Sequence, residues 1–193
     1  MIETSKRFVT DSALATKKGV PMTETVAYEV TGTIGEIEFR KYPRMTLASV
    51  KSNREDSGFN LLFGYITGNN RTRTKISMTA PVITSEQVPM TTPVISDEQS
   101  MSFVMPADKT EKDIPEPTDT RVLISTLPPR EIAVIRFKGY AGPAEVNEVR
   151  VRLLEGLRKA GISWTGQPYL MRYNAPWTPG FLRRNEVGVA ITR

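Results

Sequence analysis

The chain has 193 residues, 26 of them basic and 21 acidic for a formal charge of +5, and 39% of them are apolar. Such a chain is an ordinary globule, long enough for a real core. It contains no cysteine and no histidine, which excludes disulfides, thiolate metal sites, cysteine nucleophiles, Ser-His-Asp catalysis, His-ligated zinc and proximal-histidine haem ligation together.

Residues 1–24 are polar, rich in Thr, Ser and Lys, and without periodicity; they read as a flexible N-terminal arm. They lack the apolar stretch of a signal peptide, and Glu3 and Asp11 fit poorly with a transit peptide, so the expected setting is the cytoplasm. No apolar run approaches the roughly 20 residues of a membrane-spanning helix. From residue 25 the pattern alternates. Val26, Tyr28 and Val30 alternate with polar neighbours, Ile37, Phe39 and Lys41 alternate with Glu36, Glu38 and Arg40, and Met45–Val50 is a third β-leaning run. Gly32, Gly35 and Pro43-Arg44 mark the turns. This alternation places Glu36 and Glu38 on a wet strand face.

The period then changes. Phe59, Leu62, Phe63 and Ile66 stand at i, i+3, i+4 and i+7, one face of a helix that Asp56 or Ser57 can cap and Gly68 can end. A basic loop follows, with Arg71, Arg73 and Lys75. Next come two near-copies of one phrase, ISMTAPVITSEQ (76–87) and VPMTTPVISDEQ (88–99), identical at seven of twelve positions. Each copy is a β-prone run closed by a polar cluster, hence strand then turn, twice. One duplication is too short for a solenoid. It reads as a hairpin on a sheet edge, or as a Met- and Pro-rich rim of a binding groove.

Met101–Met105 is a further strand, and the Pro- and charge-rich stretch 106–119 is a connection. Arg121–Thr126 and Ile132–Phe137 are strands about a Pro128-Pro129 turn. A longer helix spans Pro143 to about Ala160, with Pro143 at N1, Glu145 in the first turn, Arg158 and Lys159 in the last, and Gly161 after it. Val146, Val149, Leu153 and Leu157 face its core. Tyr169–Tyr173 and Val187–Thr192 complete the strands. Two halves, about 25–105 and 120–193, each place one helix on an antiparallel sheet, an α+β domain with internal pseudo-symmetry.

Five phrases in order, IGEIEFRKYPRMTLASV, GFNLLFGYITGNN, KISMTAPVI, SFVMP and PYLMRYNAPWTPGFLRRNEV, resemble the SOUL haem-binding protein family over about residues 26–192. The resemblance implies a pseudo-twofold distorted antiparallel β-barrel flanked by two helices. It also implies a soluble carrier or buffer that holds haem or another tetrapyrrole non-covalently in a surface cleft. Some members are thought to ligate iron through histidine, and this chain has none to offer. Met and Tyr remain as ligands, with Lys if buried and neutral, so binding by apolar contact fits better and no metal ligand is assigned.

One wall of the cleft is expected on the first helix, at Phe59, Leu62, Phe63 and Ile66. The rim is expected from Met78, Met171 and Tyr173, and Arg71, Arg73 and Lys75 can pair with ring propionates. The plainer readings are core packing for the helix face, gap filling for the methionines and a solvated loop for the cations. Residues 174–180 form a candidate lid. Two other classes stand beside a tetrapyrrole binder. One is a small-molecule effector-binding module of similar fold. The other is a metal-removing enzyme using a carboxylate such as Glu36 or Glu38, or Tyr173. No catalytic residue is assigned, nothing resembles a helix-turn-helix and no nucleic-acid partner is expected. Protein partners are not specified by the sequence.

Overall fold

A computed structural model of the chain describes residues 7–9, 24–52, 55–85, 100–174 and 177–192. In chain order the elements begin with β1 (Arg7–Val9), β2 (Glu24–Thr25), β3 (Tyr28–Ile34), β4 (Ile37–Tyr42), β5 (Met45–Lys51), α1 (Glu55–Ile66), β6 (Thr79–Ser85) and β7 (Ser100–Val104). They continue with β8 (Leu123–Leu127), β9 (Arg130–Phe137), α2 (Pro143–Lys159), β10 (Ser163–Arg172), a 3₁₀ turn (Gly180–Leu182) and β11 (Asn185–Thr192). The fold is α+β, as expected, with antiparallel strands and two helices. It divides into two compact units, one containing residues 27–43 and 129–192 with β1, the other residues 44–128 with β2.

In the first unit the strands run in the order β1-β3-β4-β9-β11-β10, every neighbour antiparallel. α2 packs on β9, β11 and β10. Pro143 opens it, Arg158 and Lys159 complement its C-terminal dipole, and Gly161 follows at φ +68°. Its buried stripe, Val146, Val149, Leu153 and Leu157, meets Phe39, Ile135, Leu170, Val187 and Val189 from the sheet. Full burial of Leu153 and Leu157 contributes roughly 1.5–3 kcal/mol each. β10 is longer than the expected Tyr169–Tyr173. Thr165-Gly166-Gln167-Pro168 looks like a turn, but it is a register shift inside the strand, with Gly166 at φ +72°.

In the second unit the order is β6-β7-β5-β8, antiparallel throughout, with β2 added in parallel on β6. α1 lies on β5 and β7. Ala48, Val50, Leu62, Tyr65, Ile66, Met101, Phe103 and Met105 form its core. The helix starts at Glu55, so Asp56 and Ser57 occupy its first turn rather than the cap, and Gly68 at φ +118° follows its end. β8 begins at Leu123, later than expected, because the Arg121 amide donates to Asp119 Oδ1 at 2.9 Å in a side-chain-closed turn. The first copy of the duplicated phrase supplies β6; the second, 88–99, lies outside the described residues.

The two units share a connectivity. β5-α1-β6-β7 and β9-α2-β10-β11 are both β-α-β-β runs in which the third strand sits between the first and second. β4 precedes β5 in the chain yet pairs with β9, and β8 precedes β9 yet pairs with β5. Each repeat is thus flanked by a strand from the other half of the sequence, exchanged across the short Pro43-Arg44 and Pro128-Pro129 connections.

Candidate functional site

Eight of the ten residues singled out in the sequence lie in the second unit. Leu62 is fully buried and Ile66 is 3% exposed, both in the core beneath α1. Phe59 is half-buried, with its ring edge-on to Phe103 at 5.5 Å and stacked on Phe63 at 5.8 Å and 12°. Phe63 is 45% exposed. The outer stripe of the helix therefore carries an aromatic pair rooted in the core and open to water at its far end. Gly64 adds no side chain to that stripe, and the nearest atoms to a Cβ placed there are 4.0 Å away, on Asn69. Met78 is half-buried and packs against the same core.

The basic loop is held in one shape by Asn70, which is 3% exposed. Its Nδ2 donates to the Tyr65 carbonyl (3.0 Å) and the Thr74 carbonyl (2.7 Å), and its Oδ1 accepts from the Thr74 amide (3.1 Å) and the Thr72 hydroxyl (3.2 Å). Arg71, Arg73 and Lys75 project from this frame into solvent. Arg71 pairs with Glu116 at 3.1 Å, but both side chains are exposed, so the pair contributes little. Between loop residues 72–77 and the connection 106–116 lies an open cavity of about 570 Å³, lined by Lys75, Lys109 and Lys112 and equally by Asp108, Asp113 and Glu116. The connection is fixed by the Tyr65 hydroxyl, which donates to the Pro115 carbonyl at 2.7 Å. Burial pushes the Tyr65 phenol up to about 12.

Met171 and Tyr173 lie in the first unit. Met171 is 2% exposed on β10. Tyr173 belongs to a buried ionic cluster on the sheet face opposite α2, centred on Glu186, which is fully buried. Glu186 accepts from Arg40 Nη1 (2.6 Å) and Nη2 (3.1 Å), Arg136 Nε (3.2 Å), Arg184 Nε (3.0 Å) and the Tyr173 hydroxyl (2.8 Å). Arg40 also pairs with Glu38 and stacks on the Tyr28 ring at 4.3 Å. Arg184 stacks on Tyr173 at 4.0 Å and donates to the Tyr28 hydroxyl at 3.1 Å. Arg40 alternates with Phe39 as Glu36 and Glu38 do, yet it is 1% exposed. Strand alternation separates two faces but does not say whether the second meets water or a carboxylate.

Burial alone would raise the Glu186 carboxyl, but the hydrogen bond and charge of Arg40, then the charge of Arg184 and the Tyr173 hydrogen bond, outweigh it and hold the group down to about 2. Burial lowers and the Glu186 partner raises Arg40 and Arg184, with a net upward result for both. Burial pushes Tyr42 up to about 12. Burial, then the charge of Glu186, drives Tyr173 well above the ordinary phenol, so it stays protonated at neutral pH.

A model of the SOUL heme-binding protein family matches residues 23–190. The chain belongs to the SOUL family. Heme-binding protein 2 of Homo sapiens is 31% identical to it over 149 residues, covering 74% of this chain and 72% of that protein. Solved structures share the SOUL fold at much lower identity and speak to the fold alone. The C-terminal domain of EcmrR aligns with a TM-score of 0.59 and 10% identity over 83% of this chain and 99% of that one. A hydrolase from Listeria innocua aligns at 0.53 and 12% over 81% and 92%. No helix of this SOUL chain, among the described residues, is long and apolar enough to cross a membrane.

Sequence reasoning missed two features of this SOUL chain. The Glu186 cluster joins residues 146 positions apart, and no local pattern announces it. Asn70 sits inside a run of polar residues where its buried, fully bonded amide is indistinguishable from a solvated one. A glycine within a helical period, such as Gly64, is a costly choice that asks for a reason.

Proposed function

We propose that the chain binds haem or a related tetrapyrrole non-covalently, without histidine ligation, on the outer face of α1, as a carrier or buffer. The exposed Phe63 ring stacked on Phe59, with three exposed cations following the helix end, is the observation that supports this most strongly. Membership of a haem-binding family points the same way. In this reading the flat face of the macrocycle lies on Phe63 and beside Gly64, with Phe59 behind Phe63 and Met78 at its edge, while Leu62 and Ile66 anchor the helix in the core beneath it. Arg71, Arg73 and Lys75 meet the propionates.

The residues fit a macrocycle held by its surface rather than by its metal. A tyrosinate bond to iron is disfavoured at Tyr173, whose hydroxyl is given to Glu186 and whose proton is tightly held. Covering about 400 Å² of apolar surface at about 25 cal/mol/Å² contributes about 10 kcal/mol. Association costs at least about 4 kcal/mol. The remaining 6 or so corresponds to a Kd of tens of micromolar, and charge pairing with propionates tightens it. Such affinity suits reversible loading and release.

Parallel optical titrations with haemin and metal-free protoporphyrin test this. Saturable one-to-one binding with similar Kd for both is expected. A Kd for haemin lower by about a hundredfold (about 2.7 kcal/mol) would overturn ligand-free binding, and no saturation with either would overturn the tetrapyrrole reading.

A further inference from the structure

β4 and β8 hold equivalent places, each laid against the first strand of a repeat, β9 and β5 respectively. Their outer edges differ. β3 covers that of β4 as an antiparallel strand, whereas among the described residues no strand covers that of β8, which ends the sheet. The connection 106–119 precedes β8 as β3 precedes β4, but it is tied elsewhere. At the end of α1, the Arg71 amide donates to the Glu116 carbonyl and the Thr118 hydroxyl to the Asn69 carbonyl, both at 3.0 Å. Leu123 is 45% exposed and residues 124–127 are half-buried, while β7 is buried throughout.

The register fixes which main-chain groups this edge offers. The Met105 amide donates to the Thr46 carbonyl at 2.9 Å, so Thr46 turns its main chain toward β7. Main-chain groups alternate sides along a strand. Met45, Leu47 and Ser49 therefore face β8 and pair with Leu127, Ser125 and Leu123, with no register shift. The amides and carbonyls of Ile124 and Thr126 point the other way, out from the edge in the plane of the sheet. Their side chains stand at right angles to that plane, Ile124 on the α1 core and the Thr126 hydroxyl on Glu111. Residues 122–127, VLISTL, include no charge, proline or glycine, so the usual devices that keep sheet edges apart are missing.

The strand is also complementary to itself. Antiparallel pairing about a two-fold axis through Ser125 sets Leu123 against Leu127, Ile124 against Thr126 and Ser125 against its own copy. The outward groups of Ile124 and Thr126 then meet in four hydrogen bonds, and the two serines form a non-hydrogen-bonded pair. No charges oppose each other across the axis. This self-match, and the antiparallel strand that fills the equivalent place on β4, select a second copy of this chain as the occupant. We propose that β8 pairs with β8 of a second copy about Ser125, an isologous contact that joins two β6-β7-β5-β8 sheets edge to edge. A contact of five residues a side is far smaller than a permanent interface, so the dimer is weak and concentration-dependent.

Sedimentation velocity of the full chain across a wide concentration range tests this, and a rise from monomer to dimer is expected. Ser125→Lys and Ser125→Glu each set like charges across the axis and should weaken the dimer about fivefold. Mixed in equal amounts the two variants should recover it, because opposite charges then meet. Thr126→Pro removes one outward donor from each copy but none from the ladder with β5. It should weaken association at least about tenfold, whereas Thr126→Val, which keeps the donor, should associate as the wild type does. Unchanged far-ultraviolet dichroism would show that the variants are folded. A monomer at every concentration, association undiminished by Thr126→Pro, or lysine and glutamate variants that fail to recover on mixing would overturn the proposal.

Discussion

The two helices hold equivalent places in two β-α-β-β repeats, yet they face water differently. α2 presents Glu148, Arg152, Glu155, Arg158 and Lys159 along its outer side, with Val151 among them. Arg152 bridges Glu36 on the neighbouring strand turn and Glu148 one turn back. α1 presents Asn60, the 45% exposed Phe63 and a glycine, with no basic residue in its last turn. An exposed phenyl and a mid-helix glycine both work against an isolated helix. The topology tolerates either surface, and the proposed reading places the ring on the less charged of the two. The cations divide in the same way. In the first unit, Arg40 and Arg184 are turned inward onto Glu186, whereas Arg71, Arg73 and Lys75 of the second unit are held outward by Asn70.

The largest expected effect breaks the inward set. Glu186→Gln leaves the 1% exposed Arg40 with only the half-buried Glu38 as a counter-charge and should destabilise the fold by about 3 kcal/mol, read from the urea midpoint. The wild type has a matching acid limb. The folded Glu186 lies at about 2 against an ordinary 4.5, so its contribution is complete above 4.5 and is lost as pH falls from 4.5 through 2. That loss amounts to about 3 kcal/mol, and Glu186→Gln should flatten it. Stability that is independent of pH across this window would refute the assignment.

Phe63→Ala is next, and it separates binding from folding. Affinity for haemin and for protoporphyrin should both fall about tenfold, while stability should move by less than about 1 kcal/mol for a side chain so exposed. A smaller effect is expected from the outward cations. Replacing Arg71, Arg73 and Lys75 by Ala should weaken haemin binding severalfold at low salt, and the deficit should shrink as salt screens the pairs. Dimethyl-esterified haem should not distinguish this variant from the wild type. Gly64→Ala is the finest probe. With no atom nearer than 4.0 Å to the added methyl, it should raise stability by about 0.5–1 kcal/mol while lowering tetrapyrrole affinity. A gain in both would show that the ring does not rest there.

The helices were legible because their periods are long and clean. Phe59 to Ile66 and Val146 to Leu157 repeat at helical spacing, and Gly68 and Gly161 stop them at positive φ. Most strands were legible from alternation, and the ordered phrases pointed to the family. Pairing was not legible. Nothing near Tyr42 says that β4 leaves β5 for β9, because exchange across a two-residue turn depends on surfaces formed much later in the chain. Arg40 shows the same limit at one residue. Its alternation with Phe39 was read correctly as a change of face, while its partner Glu186 lay far down the sequence. At the proposed site the aromatic and basic residue types were visible. Asn70, which turns the cations outward, was hidden because a hydrogen-bonded amide and a hydrated one are written with the same letter.

The most direct measurement is a protoporphyrin titration followed by backbone amide shifts in a uniformly ¹⁵N-labelled sample. Saturable shifts should concentrate in residues 59–78, with the outer face of α2 silent, and should be strongly reduced in Phe63→Ala. Shifts centred on α2, or spread evenly over both helices, would contradict the outer face of α1 as the place where the ring binds.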